Sequence, residues 1–216
     1  MMTCDRERGF TLLEVIVVLA VLGLLLGAAV PLASAVIESD RRQEARNELV
    51  AIGAALDSYY FEHAAFPVSL AAADFFGVHL QPGVGNTATA DPFGGGQGYL
   101  YAVDTTNNVA TVYSRGENGT DDGVANEEFV SKVYGSVPGT RRTWMLLRVV
   151  VEVLANHIEA GGSVTGSWPT VRANIGLGSA YDRDGFGTIL QWDEATHMLT
   201  SAGPDHSFGT ADDITI

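Results

Sequence analysis

The chain has 216 residues, with 12 basic against 26 acidic side chains and a formal charge of −14 at neutral pH. That balance excludes the basic footprint of a nucleic-acid-binding protein, and it suits a soluble surface or cation binding where carboxylates converge. Cys4 is the single cysteine, so everything after it lacks a thiol for disulfides or Cys-based metal sites.

Residues 1–9 are short and polar, with Arg6, Arg8 and Gly9 directly before an apolar run that starts at Phe10. Between Val15 and Ile37 no side chain is charged. At about 1.5 Å rise per residue such a helix is long enough for a hydrocarbon core about 30 Å thick. Glu14 lies where the run has already begun, and an ionised carboxylate there costs about 2.5–3.5 kcal/mol. The acid therefore predicts a partner. A secretory signal puts small residues after its apolar region, whereas Gly9 comes before it. A lipidated cysteine would also follow the run, and Cys4 precedes it. Arg6 and Arg8 predict a cytoplasmic start and an exported remainder. A plain single-pass anchor accounts for the run but not for Glu14 or the Gly9–Phe10 junction.

Gly9-Phe10-Thr11-Leu12-Leu13-Glu14, followed by about twenty apolar residues, resembles the class III leader of type IV pilins and type II secretion pseudopilins. The resemblance implies cleavage by a prepilin peptidase between Gly9 and Phe10, and N-methylation of Phe10. It implies that Glu14 pairs with the N-terminal amine of a neighbouring subunit during filament assembly. Pro31 matches the proline that kinks or locally melts the family's N-terminal helix. The implied life cycle begins as a single-pass protein in the bacterial inner membrane, in contact with lipid and an assembly platform. It ends in a periplasmic pseudopilus or an extracellular filament of identical or homologous subunits.

Beyond the run, Ala45, Leu49, Ile52, Leu56 and Tyr59 recur at three- and four-residue spacings and predict an amphipathic helix over 41–60. Arg41, Arg42, Glu44, Arg46 and Glu48 solvate its early part. Tyr59, Tyr60, Phe61 and Phe66-Pro67 close this unit, which also resembles the pseudopilin pattern. Asp91-Pro92-Phe93-Gly94 is followed by two β-type runs, 99–103 and 109–114, with the polar turn 104–108 between them. An Asp-Pro-aromatic-Gly element before a hairpin resembles the major pseudopilin of type II secretion, whose C-terminal Gly- and Asp-rich loop binds calcium. The loop here is 114–123.

The same order then recurs. An amphipathic helix is predicted over Arg142–Ile158, with Trp144, Leu147, Val151, Leu154 and Ile158 along one face. Trp168-Pro169 takes the place of Phe66-Pro67, and Asp184-Gly185-Phe186-Gly187 that of Asp91-Pro92-Phe93-Gly94. Strands over 188–192 and 197–201 lead to a loop, 201–214, that closes on Ala211-Asp212-Asp213-Ile214. Four matches in one order predict duplication of the head without the membrane segment. The expectation is an α+β, pilin-like chain in which a long N-terminal transmembrane helix precedes small antiparallel sheets. Its parts are a leader 1–9, a transmembrane or filament-core helix 10–37, and heads 38–135 and 136–216 divided at a turn-rich linker, 135–139. Each head is on the order of 80 residues, near the lower limit for an independent core.

Calcium takes six to eight oxygen ligands from carboxylates and carbonyls. Asp205, Asp212 and Asp213, with the carbonyl of Leu199 or Ser201, form one candidate set. Asn118, Asp121 and Asp122, with Glu117 or Glu127 in reserve, form a second. Solvated Asp-Gly turns are the alternative for both. Catalysis has little support: His63, His79, His157, His197 and His206 lack a paired metal spacing, Ser201 lacks a Gly-x-Ser-x-Gly setting, and 94–96 lacks the lysine of a phosphate loop. The expectation is a structural pseudopilin of a type II secretion-like system and not an enzyme, with a surface pilus subunit and then a tethered exported enzyme as the alternatives.

Overall fold

The computed structural model describes residues 11–81 and 90–216, apart from the helical side chains at 26 and 28–32. The expected cleavage and methylation site, Gly9–Phe10, lies outside the described residues. The chain divides after Glu44 into two compact units.

The first unit contains the beginning of α1, which spans Leu12–His63. Thr11 starts it, accepting the Glu14 N–H on its carbonyl at 3.0 Å and on its hydroxyl at 3.3 Å. A hydroxyl bonded to the third helical N–H is the first half of a capping box. Leu12 is 80 % exposed and Leu24 77 %, and Val15 to Leu22 keep large exposed areas around the helix. Glu14 is exposed among them. The helix passes position 31 without a break. A proline there removes one ladder bond and can bend the axis without ending the helix. The Pro31 side chain is outside the described residues. Among the described residues no helix is long and apolar enough to cross a membrane. The described side chains of this segment are continuous only over 11–25, about 22 Å of helix.

The second unit, Ala45–Ile216, holds two apolar cores. In the first, Ala45, Leu49, Ile52, Leu56 and Tyr59 of α1 are buried as their spacing predicts, together with Phe75, Tyr99, Val112 and Phe129. They pack with an antiparallel sheet of β1 (Leu100–Asp104), β2 (Val109–Tyr113) and β3 (Val130–Tyr134), in that order. The β1–β2 register pairs Leu100 with Tyr113 and Asp104 with Val109. The Tyr99 hydroxyl donates to Glu48 of α1 at 2.7 Å, tying helix to sheet.

The expected linker at 135–139 is not a linker. Only Gly135 separates β3 from α2, Ser136–Glu159, so Pro138 and Gly139 belong to its first turn. Proline is tolerated there because the first helical N–H groups have no acceptor within the helix. The buried face of α2 is Thr143, Leu147, Val150 and Leu154, whereas Trp144, Val151 and Ile158 of the predicted face are largely exposed. The apolar stripe is wider than one face, and the neighbours choose which edge is covered. The second core adds Trp168 and Val171 of the short helix α3 (Trp168–Asn174), Phe186, Leu190, Leu199 and Ile214. Its antiparallel sheet is β4 (Gln191–Asp193), β5 (Met198–Ser201) and β6 (Ile214–Thr215).

Two arginines at the start of α2 reach the end of α1. Arg141 pairs with Asp57 at 2.8 Å and lies over the Phe61 ring, while Arg142 donates to the carbonyls of Phe61 and Glu62. After His63 the chain leaves the helix through Ala64 at φ 56, a left-handed conformation that disfavours any side chain with a Cβ. Ala64→Gly should therefore stabilise the protein by about 0.5–1 kcal/mol. A higher urea midpoint is the expected reading, and an unchanged or lower one would show that the position carries no strain.

Candidate functional site

Both acidic loops leave the middle strand of a three-stranded sheet and return to its third strand, from β2 to β3 and from β5 to β6. Each is anchored by a buried aspartate. Asp91, 3 % exposed, accepts the Phe93 N–H at 3.0 Å, the Ser114 hydroxyl at 2.7 Å and the Arg115 N–H at 2.7 Å. Asp184, 1 % exposed, accepts the Phe186 N–H at 2.9 Å, the Thr188 N–H at 2.8 Å and the Ser201 hydroxyl at 2.7 Å. The Ser114 oxygen accepts from Gly116 N–H at 3.1 Å, and the Ser201 oxygen from Gly203 N–H at 3.2 Å. A carboxylate taken out of water needs such donors to be tolerated. The two networks thus pin the start of each loop to the Asp-x-Phe-Gly turn before its hairpin. Sequence reasoning quoted those turns but gave no role to Asp91, Asp184 or the two serine hydroxyls. The signal was the recurrence of Asp-x-Phe-Gly ahead of Ser-x-Gly.

The hairpin turns repeat as well. Asp104 accepts the Thr106 N–H and Asp193 the Ala195 N–H, and the strands resume after Asn108 (φ 53) and His197 (φ 56). The Asp104 carboxyl is held below its ordinary range by the Asn107 side chain, and that of Asp193 by the Thr196 side chain.

In the second loop the Asp212 carboxylate accepts from the Thr210 hydroxyl at 2.6 Å and the Asp205 N–H at 3.2 Å. The Thr210 bond is the main reason that its carboxyl is lowered. Such depressed carboxyls stabilise the fold above the ordinary carboxylate range and lose that contribution as the pH falls through their own lowered values. Asp213 accepts the Gly209 N–H at 2.7 Å, and Asp205 the Ser207 N–H at 2.8 Å. Gly203 (φ 67) closes the loop, where a Cβ would stand 2.4 Å from the Asp212 carbonyl oxygen. The three carboxylates share one loop, but they do not meet at a point. Leu199 already gives its carbonyl to the Ile216 N–H, which makes it the weakest of the expected ligands.

In the first loop Asn118 donates to Asp122 at 2.5 Å, Glu127 accepts the Asp122 N–H, and Asp121 accepts the Gly123 N–H. Asn118, Asp122, Asn126, Glu127 and Glu128 line a pocket of about 230 Å³ that Asp121 does not join. Oxygen donors around a shallow cup suit a hard cation.

The prokaryotic N-terminal methylation motif family matches residues 4–30. The type II secretion system core protein G of Klebsiella pneumoniae is 41 % identical over 65 residues, covering 30 % of this chain and 46 % of that protein. That of Escherichia coli K12 is 36 % identical over 69 residues, 32 % of this chain and 48 % of its own length. Over about a third of its length the chain is similar to type II secretion core proteins G, and it carries the methylation motif of pilin-like proteins. It spans about half the length of these curated relatives. A third core protein G, from Klebsiella michiganensis, is 27 % identical over 135 residues, taking in 94 % of its own length but 56 % of this chain. A large part of this chain therefore lies outside the alignment with that relative. No solved structure matches.

The anchoring role of the buried aspartates has a direct test. Asp184→Ala strands three donors, those of Phe186 and Ser201 buried, and should cost about 3–5 kcal/mol, while Ser201→Ala should cost about 1–3 kcal/mol. Urea unfolding measures both, and a loss under 1 kcal/mol for Asp184→Ala would remove the anchor role.

Proposed function

We propose that this chain is a structural filament subunit of a type II secretion-like system, with its globular head duplicated. Prepilin peptidase cuts between Gly9 and Phe10, Phe10 is N-methylated, and α1 serves first as an inner-membrane anchor and then as filament core. The observation that carries the reading is the methylation motif at 4–30 running into an apolar helix exposed on all sides, with an acid at position 14. Such a helix must be covered by lipid or by neighbouring helices. Glu14 is the one charge within it and pairs with the N-terminal amine of an adjacent subunit. The duplication rests on the paired networks of Asp91–Ser114 and Asp184–Ser201, on the paired hairpin turns, and on the stretch left unaligned with the Klebsiella michiganensis protein. Bulk added outside such a filament also suits a subunit of a surface pilus, which is the second reading.

Co-expression with a prepilin peptidase and an assembly platform tests this. Glu14→Ala should still be cleaved at Gly9 and inserted, but should lose most filament yield by electron microscopy. Normal filaments from that variant would defeat the pairing. Long fibres on intact cells would select the surface pilus over the periplasmic pseudopilus.

Calcium belongs to the same proposal. Asp205, Asp212 and Asp213 with the Ser201 carbonyl would hold one ion, and Asn118, Asp122 and Glu127 a second. Bound calcium would neutralise the gathered carboxylates and fix the loops. At about a hundredfold excess over its dissociation constant a single site adds about 2.7 kcal/mol, or a rise of about 5–10 °C in melting temperature for a chain of this size. An unchanged melt of the detergent-solubilised chain on chelation and calcium return would exclude both sites.

A further inference from the structure

A cluster of metal-ligating side chains lies where α1 ends. Glu62 and His63 are its last two residues, and His79 comes from the turn that follows the buried Phe75. One ligand atom from each of the three lies within 4.8 Å of the others, the only such three-residue His, Cys, Asp or Glu cluster among the described residues. His79 Nε2 stands 3.4 Å from the Glu62 carboxylate. Tetrahedral zinc with ligands at about 2.0–2.1 Å sets its donor atoms about 3.3 Å apart. The His79–Glu62 pair is already at that spacing, and the exposed His63 needs only a small swing to join it.

The far side of each imidazole is already held. His63 Nδ1 lies 3.1 Å from the Tyr59 carbonyl, a contact in which the nitrogen donates, and this leaves its Nε2 lone pair free for a metal. His79 Nδ1 contacts the Ser58 hydroxyl at 3.2 Å, so its Nε2 is the nitrogen turned to Glu62. Metal-binding histidines are oriented by such bonds from the second ring nitrogen, which fix the tautomer and raise ligand basicity. The rings are also packed. Tyr59 stacks on His63 at 4.1 Å between centroids and meets His79 edge-on at 5.2 Å. Tyr59 is itself fixed by donating to Asp74 at 2.7 Å. The Arg142 guanidinium is engaged with the helix-end carbonyls of Phe61 and Glu62.

We propose that Glu62, His63 and His79 form a zinc-binding site that clips the end of α1 to the turn at Phe75–Leu80. Two imidazoles and a carboxylate select a borderline transition metal over calcium, which prefers an all-oxygen shell. Three protein ligands leave a fourth position open to water. The site shares no residue with the acidic loops and stands whether or not they bind calcium.

The test uses the full chain in detergent, stripped with a chelator and returned to excess calcium. Zinc alone is then titrated against a chromophoric competitor, and Co2+ substitution reports geometry through its visible absorption. One equivalent of zinc, with an intense tetrahedral cobalt spectrum, is expected. Glu62→Gln and His63→Gln should each weaken zinc binding at least about tenfold, and Glu62→Gln, at an exposed position, should leave the zinc-free melt at the parent's value. No zinc binding under these conditions would overturn the proposal. So would undiminished affinity in either variant, which would place the metal elsewhere.

Discussion

Two buried carboxylate–hydroxyl bonds, Asp91 to Ser114 and Asp184 to Ser201, set the geometry of nearly everything around them. A carboxylate out of water is tolerable only when its lone pairs are filled, and here each draws donors both from its own turn and from the end of the middle strand or the residues just after it. The turn before each hairpin, the last residue of the middle strand or its successor, and the first residues of the acidic loop must all arrive together. This is a stricter demand than apolar packing makes, because a shifted register would leave a charge unpaired. It fixes where the strand stops and the loop begins. The loops can then be rich in Gly and Asp, a composition that would not order itself.

The two anchors differ in a way their surroundings explain. Asp91 is followed by Pro92, and Asp184 by Gly185. Gly185 lies against α2, where a Cβ would stand 2.0 Å from the Gly139 carbonyl oxygen, and its N–H donates to Thr143. A Cβ on Gly139 would in turn strike the Phe186 ring at 2.2 Å. The second turn is thus pressed onto a helix backbone, so neither a proline ring nor a lost N–H is acceptable there. Arg115 brings a guanidinium within 4.0 Å of Asp91, whereas the residue after Ser201 is the buried Ala202. The second carboxylate relies on Thr188 N–H in place of the Arg115 contacts.

Patterned features were legible in the sequence, and features made by tertiary contact were not. The buried stripe of α1 from Ala45 to Tyr59 and the β1–β2 hairpin follow from spacing and turn residues alone. β3 was missed because Val130–Tyr134 mixes a serine and a lysine into a half-buried edge with no clean alternation. Residues 135–139 read as a linker because Gly and Pro punctuate loops. Yet both fit the first turn of α2, and Gly139 is there to admit the Phe186 ring. The same width of apolar stripe that predicted α2 misplaced its buried edge. His63 and His79 carried no motif, since their sixteen-residue separation becomes proximity only when the chain turns back on α1.

Glu14 shows how a capping sequence can form without drawing on its acid. Thr11-x-x-Glu14 is a capping-box sequence, and the Thr11 half is formed, its hydroxyl accepting the Glu14 N–H. In the reciprocal half the Glu carboxylate would turn back to the N-cap N–H. Instead the side chain stands exposed on a helix whose other surface is apolar. The Thr11 cap fixes the backbone of the first turn without using the carboxylate. An acid placed at a helix N-terminus is favoured by the helix dipole, which offsets part of its cost in apolar surroundings. Under the proposed pairing the remaining cost would be offset by the α-amine of a neighbouring helix, whose charge and size suit the carboxylate.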